Sequence, residues 1–497
     1  MINSYPVNYP EMIIPKSDGV TLSERKLISL GYNTFLSLWS YPNPYKIQSC
    51  GKELCDLLVI FENNIIIFSD KDCAYGDAPD AKVNWRRWYK KAVKKSVDQL
   101  LGAKLWITEH PDRISLDVKN EIPFPLEIHI TPQTEFHLIA IAHGASVQCK
   151  RYFSGGNGGL IIDNRIIEDM HIDNTCEPFR IGLPDDKPEN FIHIFDDASY
   201  SIVLKELDTV QDFLDYLRDR KAFLLSKHIV AASENEILAQ HLSGLINGNN
   251  SLLKQLSQGD YTDITLSEGL WDELIISQKY ISWRNRLAPS YFLDGLLQKT
   301  FFFIENGLSS YTTSPSMQTQ SQLFYRLAKE NRIHRLALSD SILSFFSKTP
   351  DDYRGTRIIY SESEPDICYV LLLLPHNHGE SDETYRNMRR NMISDYCVIA
   401  KTDFPRAVQI IGIAHESSDT EYGSEDFVAL NASEWSAEDQ EAALLLKKEY
   451  QEHGLLAERQ YSSKHYFGPE IMKGRDRNKP CPCGSGKKFK KCCGRYL

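Results

Sequence analysis

The chain has 497 residues, a formal charge of 56 − 67 = −11, 42% hydrophobic and 25% charged residues. That length is too great for a single core and implies about two to four domains. The acidic balance excludes a protein that coats nucleic acid indiscriminately, although local charge decides the matter for an enzyme. No apolar run is long enough to span a bilayer, so no membrane partner is expected.

The segment Met1-Ile2-Asn3-Ser4-Tyr5 has no basic start and no apolar core, so no signal peptide is expected. Cys50, Cys55, Cys73, Cys149, Cys176, Cys368 and Cys397 are scattered, mostly beside apolar residues, and read as small buried hydrophobes. A soluble, cytoplasmic, reduced protein is the expectation.

Thr21-Leu22-Ser23-Glu24 opens a helix, with Leu27, Leu30, Thr34 and Leu38 at helical spacing. Glu24 completes a capping box with Thr21, which is a sufficient reason for its presence. Residues 53–61 read as a strand, Glu62-Asn63-Asn64 as a turn, and 65–71 as the returning strand. With Asn63-Asn64 as the two-residue turn, Glu62 pairs with Ile65. Asp56 then lies opposite Lys71, and Leu58 opposite Ser69. Asp56, Ser69 and Lys71 share one face, and Asp70 points to the other. A carboxylate and an ammonium ending two apolar strands imply pairing or metal binding, because burying either alone is costly. A cross-strand structural ion pair is the alternative to catalysis.

This order of helix, strand, turn, strand and helix resembles the PD-(D/E)xK nucleases, over about the first 110 residues. In that family a helix supplies a Glu, one strand an Asp, and the next an acid-x-Lys pair. By position, Glu24 matches the helix acid, Asp56 the strand acid and Lys71 the lysine. Ser69 stands where the family has its second strand acid. The metal site is therefore one carboxylate short, or Asp70 supplies it through a bulge. The resemblance implies Mg²⁺ or Mn²⁺ held by Asp56, with Glu24 directly or through water. Lys71 would position the attacking water and stabilise charge on the phosphate. Gln99 matches a polar residue that several such nucleases place on the following helix.

That helix carries an apolar stripe of Trp85, Trp88, Tyr89, Ala92, Val93, Val97 and Leu100. Arg86, Arg87, Lys90, Lys91, Lys94 and Lys95 lie largely off the stripe, with no acid between Asp80 and Asp98. They form a surface for tracking phosphates, or else a solvated amphipathic face.

Strands are expected at 126–130, 136–142 and 191–195, with His129, His137 and His193 as core or surface histidines rather than ligands. A helix capped by Asp208-Thr209 follows to Phe223. Ser154-Gly155-Gly156-Asn157-Gly158-Gly159 lacks a GKS/T ending and reads as a connecting loop. Helices are expected at 234–245, 291–305, 320–346 and 385–396, and buried strands at 368–374 and 408–415. Arg326, Lys329, Arg332, Arg335, Arg386, Arg389 and Arg390 on two of these helices read as solvated side chains, or as contacts to nucleic acid, a nucleotide or a partner. An acidic stretch at 416–441, a helix ending near His453 and a linker at 468–479 lead to the tail.

Cys481, Cys483, Cys492 and Cys493 fall within one short glycine-rich loop, Pro480 to Gly494. Four thiolates this close make a tetrahedral Zn²⁺ site, and the intervening lysines favour the thiolate form. Two disulfides are the alternative, disfavoured by the vicinal pair. The segment resembles the SEC-C motif, the zinc module found at the C-terminus of SecA translocation motors. No Walker loop accompanies it, so that likeness stops at the tail. In this reading the tail, with its lysines and Phe489, docks a protein or nucleic acid.

The expectation is thus a multidomain α+β / α/β chain. It comprises a nuclease-like domain at 1–115, an α+β domain at 116–228, a helical then α+β domain at 229–465, and linker plus zinc motif at 466–497. Its expected function is metal-dependent phosphodiester hydrolysis of DNA or RNA, in intracellular defence or repair. The alternative is a non-catalytic adaptor on a degenerate nuclease fold, recruiting a protein or ribosome.

Overall fold

The structure is a computed structural model that describes residues 14–48, 51–248, 251–305, 324–360, 364–376, 379–417, 425–456, 478–479 and 488–491. It is a mixed α+β protein of two compact units, one built on Ile14–Arg286 with Leu327–Arg332, the other on Leu287–Arg326 with Ile333–Tyr466. Among the described residues no helix is long and apolar enough to cross a membrane.

The first unit begins with α1 (Leu22–Phe35), whose N-cap Thr21 accepts the Glu24 N–H at 3.2 Å. Strands β1 (Ser40–Pro42), β2 (Tyr45–Lys46) and β3 (Lys52–Glu53) follow. Next comes the hairpin of β4 (Leu57–Phe61) and β5 (Asn64–Asp72). The chain continues as α2 (Ala81–Tyr89), a π-helical turn at Lys90–Lys94, and α3 (Lys95–Glu109). After β6 (Ile114–Ser115) it returns to the sheet as β7 (Glu135–His143). Strands β8 (Ile161–Ile167), β9 (Arg180–Leu183) and β10 (Ile192–Asp196) precede α4 (Val210–Ser226). The unit continues through β11 (His228–Ala231), α5 (Glu234–Ile246) and β12 (Asp263–Leu266).

The main sheet runs β1-β4-β5-β7-β10. β1, β4 and β5 are antiparallel, and β5, β7 and β10 are parallel. A parallel return needs a crossover, which α2 and α3 supply. The sheet extends past residue 115 because β7 and β10 pair into it. Its Phe68 face packs on α1 and α4, with Phe35 5.8 Å from Phe68 and 5.1 Å from Phe213. α3 lies on the opposite face, where Ser69 meets Gln99. Two smaller sheets, β3-β2-β6 and β12-β11-β8-β9, complete the unit.

The hairpin forms within the expected residues, but its first strand is Leu57–Phe61 rather than 53–61, which leaves Asp56 outside it, and its register is two residues tighter. Glu62 and Asn63 make the turn, Phe61 pairs with Asn64, and Leu57 pairs with Phe68. Glu62 takes the left-handed φ of 50°. Asn64 is drawn into the strand by its tertiary partners, since its Oδ1 meets Arg218 at 2.8 Å and His137 at 3.1 Å. Asp56 is thereby brought level with Ser69 rather than Lys71. A shift of two preserves the faces, so Asp56, Ser69 and Lys71 remain on one side.

In the second unit, α6 (Tyr291–Glu305) precedes a sheet ordered β13-β14-β15-β16. Its strands are Gly355–Tyr360, Ile367–Leu374, Gln409–Glu416 and Asp426–Asn431. β14 and β15 are parallel, joined by α7 (Asp382–Asp403), and α8 (Ala437–Glu452) packs beside α7. All eight residues of β14 are buried, which explains its unbroken apolar run.

Three expectations fail in detail. Residues 126–130 are not a strand. The helix expected over 320–346 is two helices that break at residues 330 and 331. β16 lies inside the stretch read only as acidic.

Candidate active site

Asp56 sits just before β4, almost fully buried. Its Oδ2 accepts the Asp70 N–H at 2.7 Å and lies 3.4 Å from Lys71 Nζ. Burial pushes the Asp56 carboxyl up to about 7, against the opposing pull of Lys71 and the Asp70 N–H, and with a further upward push from Glu53. The Lys71 side chain is 29% exposed, so the pair it makes with Asp56 stands at the edge of the buried region. Ser69 donates its hydroxyl to Gln99 Oε1 at 3.0 Å, which joins the hairpin to α3.

Asp70 does not take the place of the acid absent at Ser69. β5 pairs regularly with β7 through Ser69, Asp70 and Lys71, with no bulge to turn Asp70 inward. Its carboxylate lies on the other face, 2.6 Å from His143 Nε2. His143 Nδ1 meets Asp197 at 2.7 Å, and Asp197 also accepts the Gly144 N–H at 2.8 Å. Burial works against a charge on His143, but hydrogen bonds to Asp197 and Asp70 outweigh it and push the imidazole up to about 9.

Glu24 does not close the expected capping box with the N-cap Thr21, because its carboxylate turns to the residue before the cap and toward this region. Its Oε2 accepts the Val20 N–H at 2.8 Å and the Asn43 side-chain amide at 3.4 Å. The same Asn43 amide reaches Glu53 Oε1 at 3.4 Å. Asn43 thus links Glu24 to Glu53, whose charge, with that of Asp70, is felt at Asp56. The sequence carried a usable signal for Glu53, an acid three positions before Asp56.

Of these groups, Glu53, Lys71 and Gln99 line an open cleft of about 400 Å³. Lys46, Lys52, Glu53, Leu54 and Lys71 line it together with Lys95, Asp98, Gln99 and Gly102 of α3, which forms a wall. Burial and the charge of Lys52 both push the Lys46 ammonium downward.

The apolar stripe of α2 and α3 is buried as expected, with Trp85 and Trp88 donating to the carbonyls of His171 and His143. Arg87, Lys90, Lys91, Lys94 and Lys95 are exposed. Arg86 is instead tied to Asn174 at 2.8 Å, and Lys94 pairs with Asp98 at 3.7 Å. Of the cations on this surface, only Lys95 lines the cleft.

The arginines read as solvated are in several cases internal. Arg332 holds Asp208 at 2.8 Å, and Arg335 pairs with Asp294 in the second unit. Arg389 and Asp426 are both fully buried and 2.7 Å apart, with Arg390 2.8 Å from the same carboxylate. His193 is a buried structural histidine beside Arg220 at 3.3 Å, and Arg220 is clamped by Glu234. His137 is buried against Asn64, and burial holds it down at about 4.

The SEC-C motif family model matches residues 477–495, so the chain carries a motif of zinc-binding type at its end. Cys481, Cys483, Cys492 and Cys493 lie within that match and outside the described residues. No solved structure matches the chain.

Proposed function

We propose that the chain is a metal-dependent nuclease that hydrolyses phosphodiester bonds of DNA or RNA, with the SEC-C segment as a docking element. The observation that carries this reading is a lysine-rich cleft lined by Glu53 and Lys71, with the buried Asp56 carboxylate 3.4 Å from Lys71 Nζ behind it. The connection of β5 through a basic helix to the parallel strand β7 adds support.

The donor set suits a divalent cation. Asp56 is a buried carboxylate whose burial disfavours its charge, and Glu53 stands close enough to disfavour it further. A hard cation bound by oxygen ligands relieves both penalties. Asp56 and Glu53 would hold it, with Glu24 orienting Glu53 through Asn43. Bound there, the cation would polarise the scissile phosphate and lower the pKa of a water. Lys71 stabilises charge developing on the phosphate. Ser69 and Gln99 fix α3 against the hairpin, which sets the width of the cleft.

The test is cleavage of single- and double-stranded DNA and RNA, with Mg²⁺ or Mn²⁺, by wild type, Asp56→Ala and Lys71→Ala. Cleavage by wild type alone supports the reading. Equal cleavage by all three, or none by wild type, overturns it.

Ser69 in place of a carboxylate favours a second reading, a binding adaptor that has lost catalysis. In that case metal analysis finds Zn²⁺ at the tail and no Mg²⁺ or Mn²⁺ dependent on Asp56. A partner would then be lost from pull-downs on Cys492→Ser but not on Asp56→Ala.

A further inference from the structure

Lys46 and Lys52 stand directly opposite each other across the antiparallel pair β2–β3. Like charges in this position repel and destabilise the ladder. Among the described residues no carboxylate lies within ion-pair distance of Lys46, Lys52 or Lys95. Lys46 instead donates to the Gly102 carbonyl at 3.2 Å and lies 5.4 Å from the Trp106 ring centroid. Opposite the two lysines, α3 presents Gly102, where an added Cβ would meet nothing within 4 Å. Glycine inside a helix is less favourable than alanine. Here it leaves the cleft wall bare at the level of the lysine pair. Repelling cations and an open wall favour an anion at the lysine pair, in a cleft that Lys71 and the carboxylates Glu53 and Asp98 also line.

We propose that Lys46 and Lys52 form a phosphate subsite that grips the nucleic-acid backbone beside the phosphate attacked at Asp56 and Lys71. The subsite rests on the nuclease reading and extends it. Lys71 serves the reacting phosphate, and the lysine pair holds a neighbouring one so that the strand runs along the cleft past Gly102. Contacts of this kind position a backbone without reading its sequence. The strand's negative charge also relieves the repulsion between the two lysines, so the unliganded protein carries a strain that the complex does not.

The test is fluorescence anisotropy with short labelled single strands of DNA and of RNA, in the full-length protein carrying Asp56→Asn to prevent cleavage. Lys46→Ala/Lys52→Ala is compared with Lys187→Ala/Lys254→Ala, two exposed lysines away from the cleft that control for net charge. The expected result is about a tenfold or greater loss of affinity for the first pair only. The salt dependence falls by about 0.7 in slope, the counterion release of one single-strand phosphate. Thermal melting should show Lys52→Ala at least as stable as its parent, which separates lost binding from lost folding. If Asp56→Asn binds and the two double variants lose affinity alike, the subsite is overturned and the nuclease reading stands. If Asp56→Asn binds neither strand, both are overturned.

Discussion

The Asp56 carboxylate accepts the backbone N–H of Asp70 at 2.7 Å. Asp70 therefore acts on both faces of the sheet, through its amide toward Asp56 and through its side chain toward His143. The position between Ser69 and Lys71 thus ties the cleft to the interior behind it.

Asp56 should make the protein less stable as pH rises. Its folded pKa is raised to about 7, so the folded state binds the proton more tightly than the unfolded chain. Its contribution is full below the ordinary carboxylate range and is lost as pH climbs through about 7. Asp56→Asn removes this dependence. In metal-free denaturant titrations it should exceed wild type by on the order of 3 kcal/mol near pH 8 and match it near pH 4. Identical pH profiles for the two proteins would show that Asp56 is not penalised by burial.

His143 should act over a higher window. Its folded pKa is raised to about 9, so its stabilisation is complete below about 6.5 and fades as pH rises through about 9. His143→Gln should be less stable than wild type near pH 6 by up to about 3 kcal/mol and close to it above pH 10. Melting curves across that range report the difference, and a constant gap at every pH would contradict a charged His143.

Much of this site was legible because it depends on period and polarity. The alternation Asp56, Ser69, Lys71 against Asp70 survives the change of register, since a shift of two leaves every side chain on its face. The register itself was not legible. Asn63-Asn64 is the better turn by composition, yet Asn64 is claimed by Arg218 and His137 from distant parts of the chain. The walls of the cleft were hidden for a similar reason. Lys46 and Lys52 lie on two-residue strands with no periodicity to read, and only their pairing and the approach of α3 make them neighbours of Lys71. Buried arginines were misread because an amphipathic helix does not announce which cation meets a carboxylate inside. Asp426, the partner of Arg389, sits in a strand that the acidic stretch concealed.

That pair gives a third prediction, for the second unit. Asp426→Ala leaves Arg389 buried without its carboxylate and should cost about 3–5 kcal/mol. Replacing both residues with apolar ones of similar size, Arg389→Met with Asp426→Leu, should recover most of the loss. Denaturant unfolding of the single and double variants decides this. A double variant as damaged as Asp426→Ala would mean that Arg390 and Arg386, which also reach Asp426, hold the structure instead.

The tail yields a fourth. Purified protein should carry one equivalent of Zn²⁺, measured by elemental analysis, and Cys492→Ser or Cys483→Ser should abolish it. A chelator should strip the metal without changing the melting of the first unit's sheet. Zinc retained by both serine variants would rule out the four-cysteine site.

The π-helical turn at Lys90–Lys94 sets the rotational timing of the helix that crosses the sheet. Each residue of an α-helix advances the side chains by about 100°, so one extra residue in a wide turn re-indexes everything after it. Trp85 and Trp88 are anchored before the turn, and Gln99 and Gly102 follow it. The aromatic anchor and the cleft wall are therefore clocked separately. Removing a single residue within 90–94 would close the wide turn and keep both in phase, whereas inserting one just after residue 94 would leave the tryptophans seated and swing Gln99 away from Ser69, unlatching the wall while its foundation stays in place.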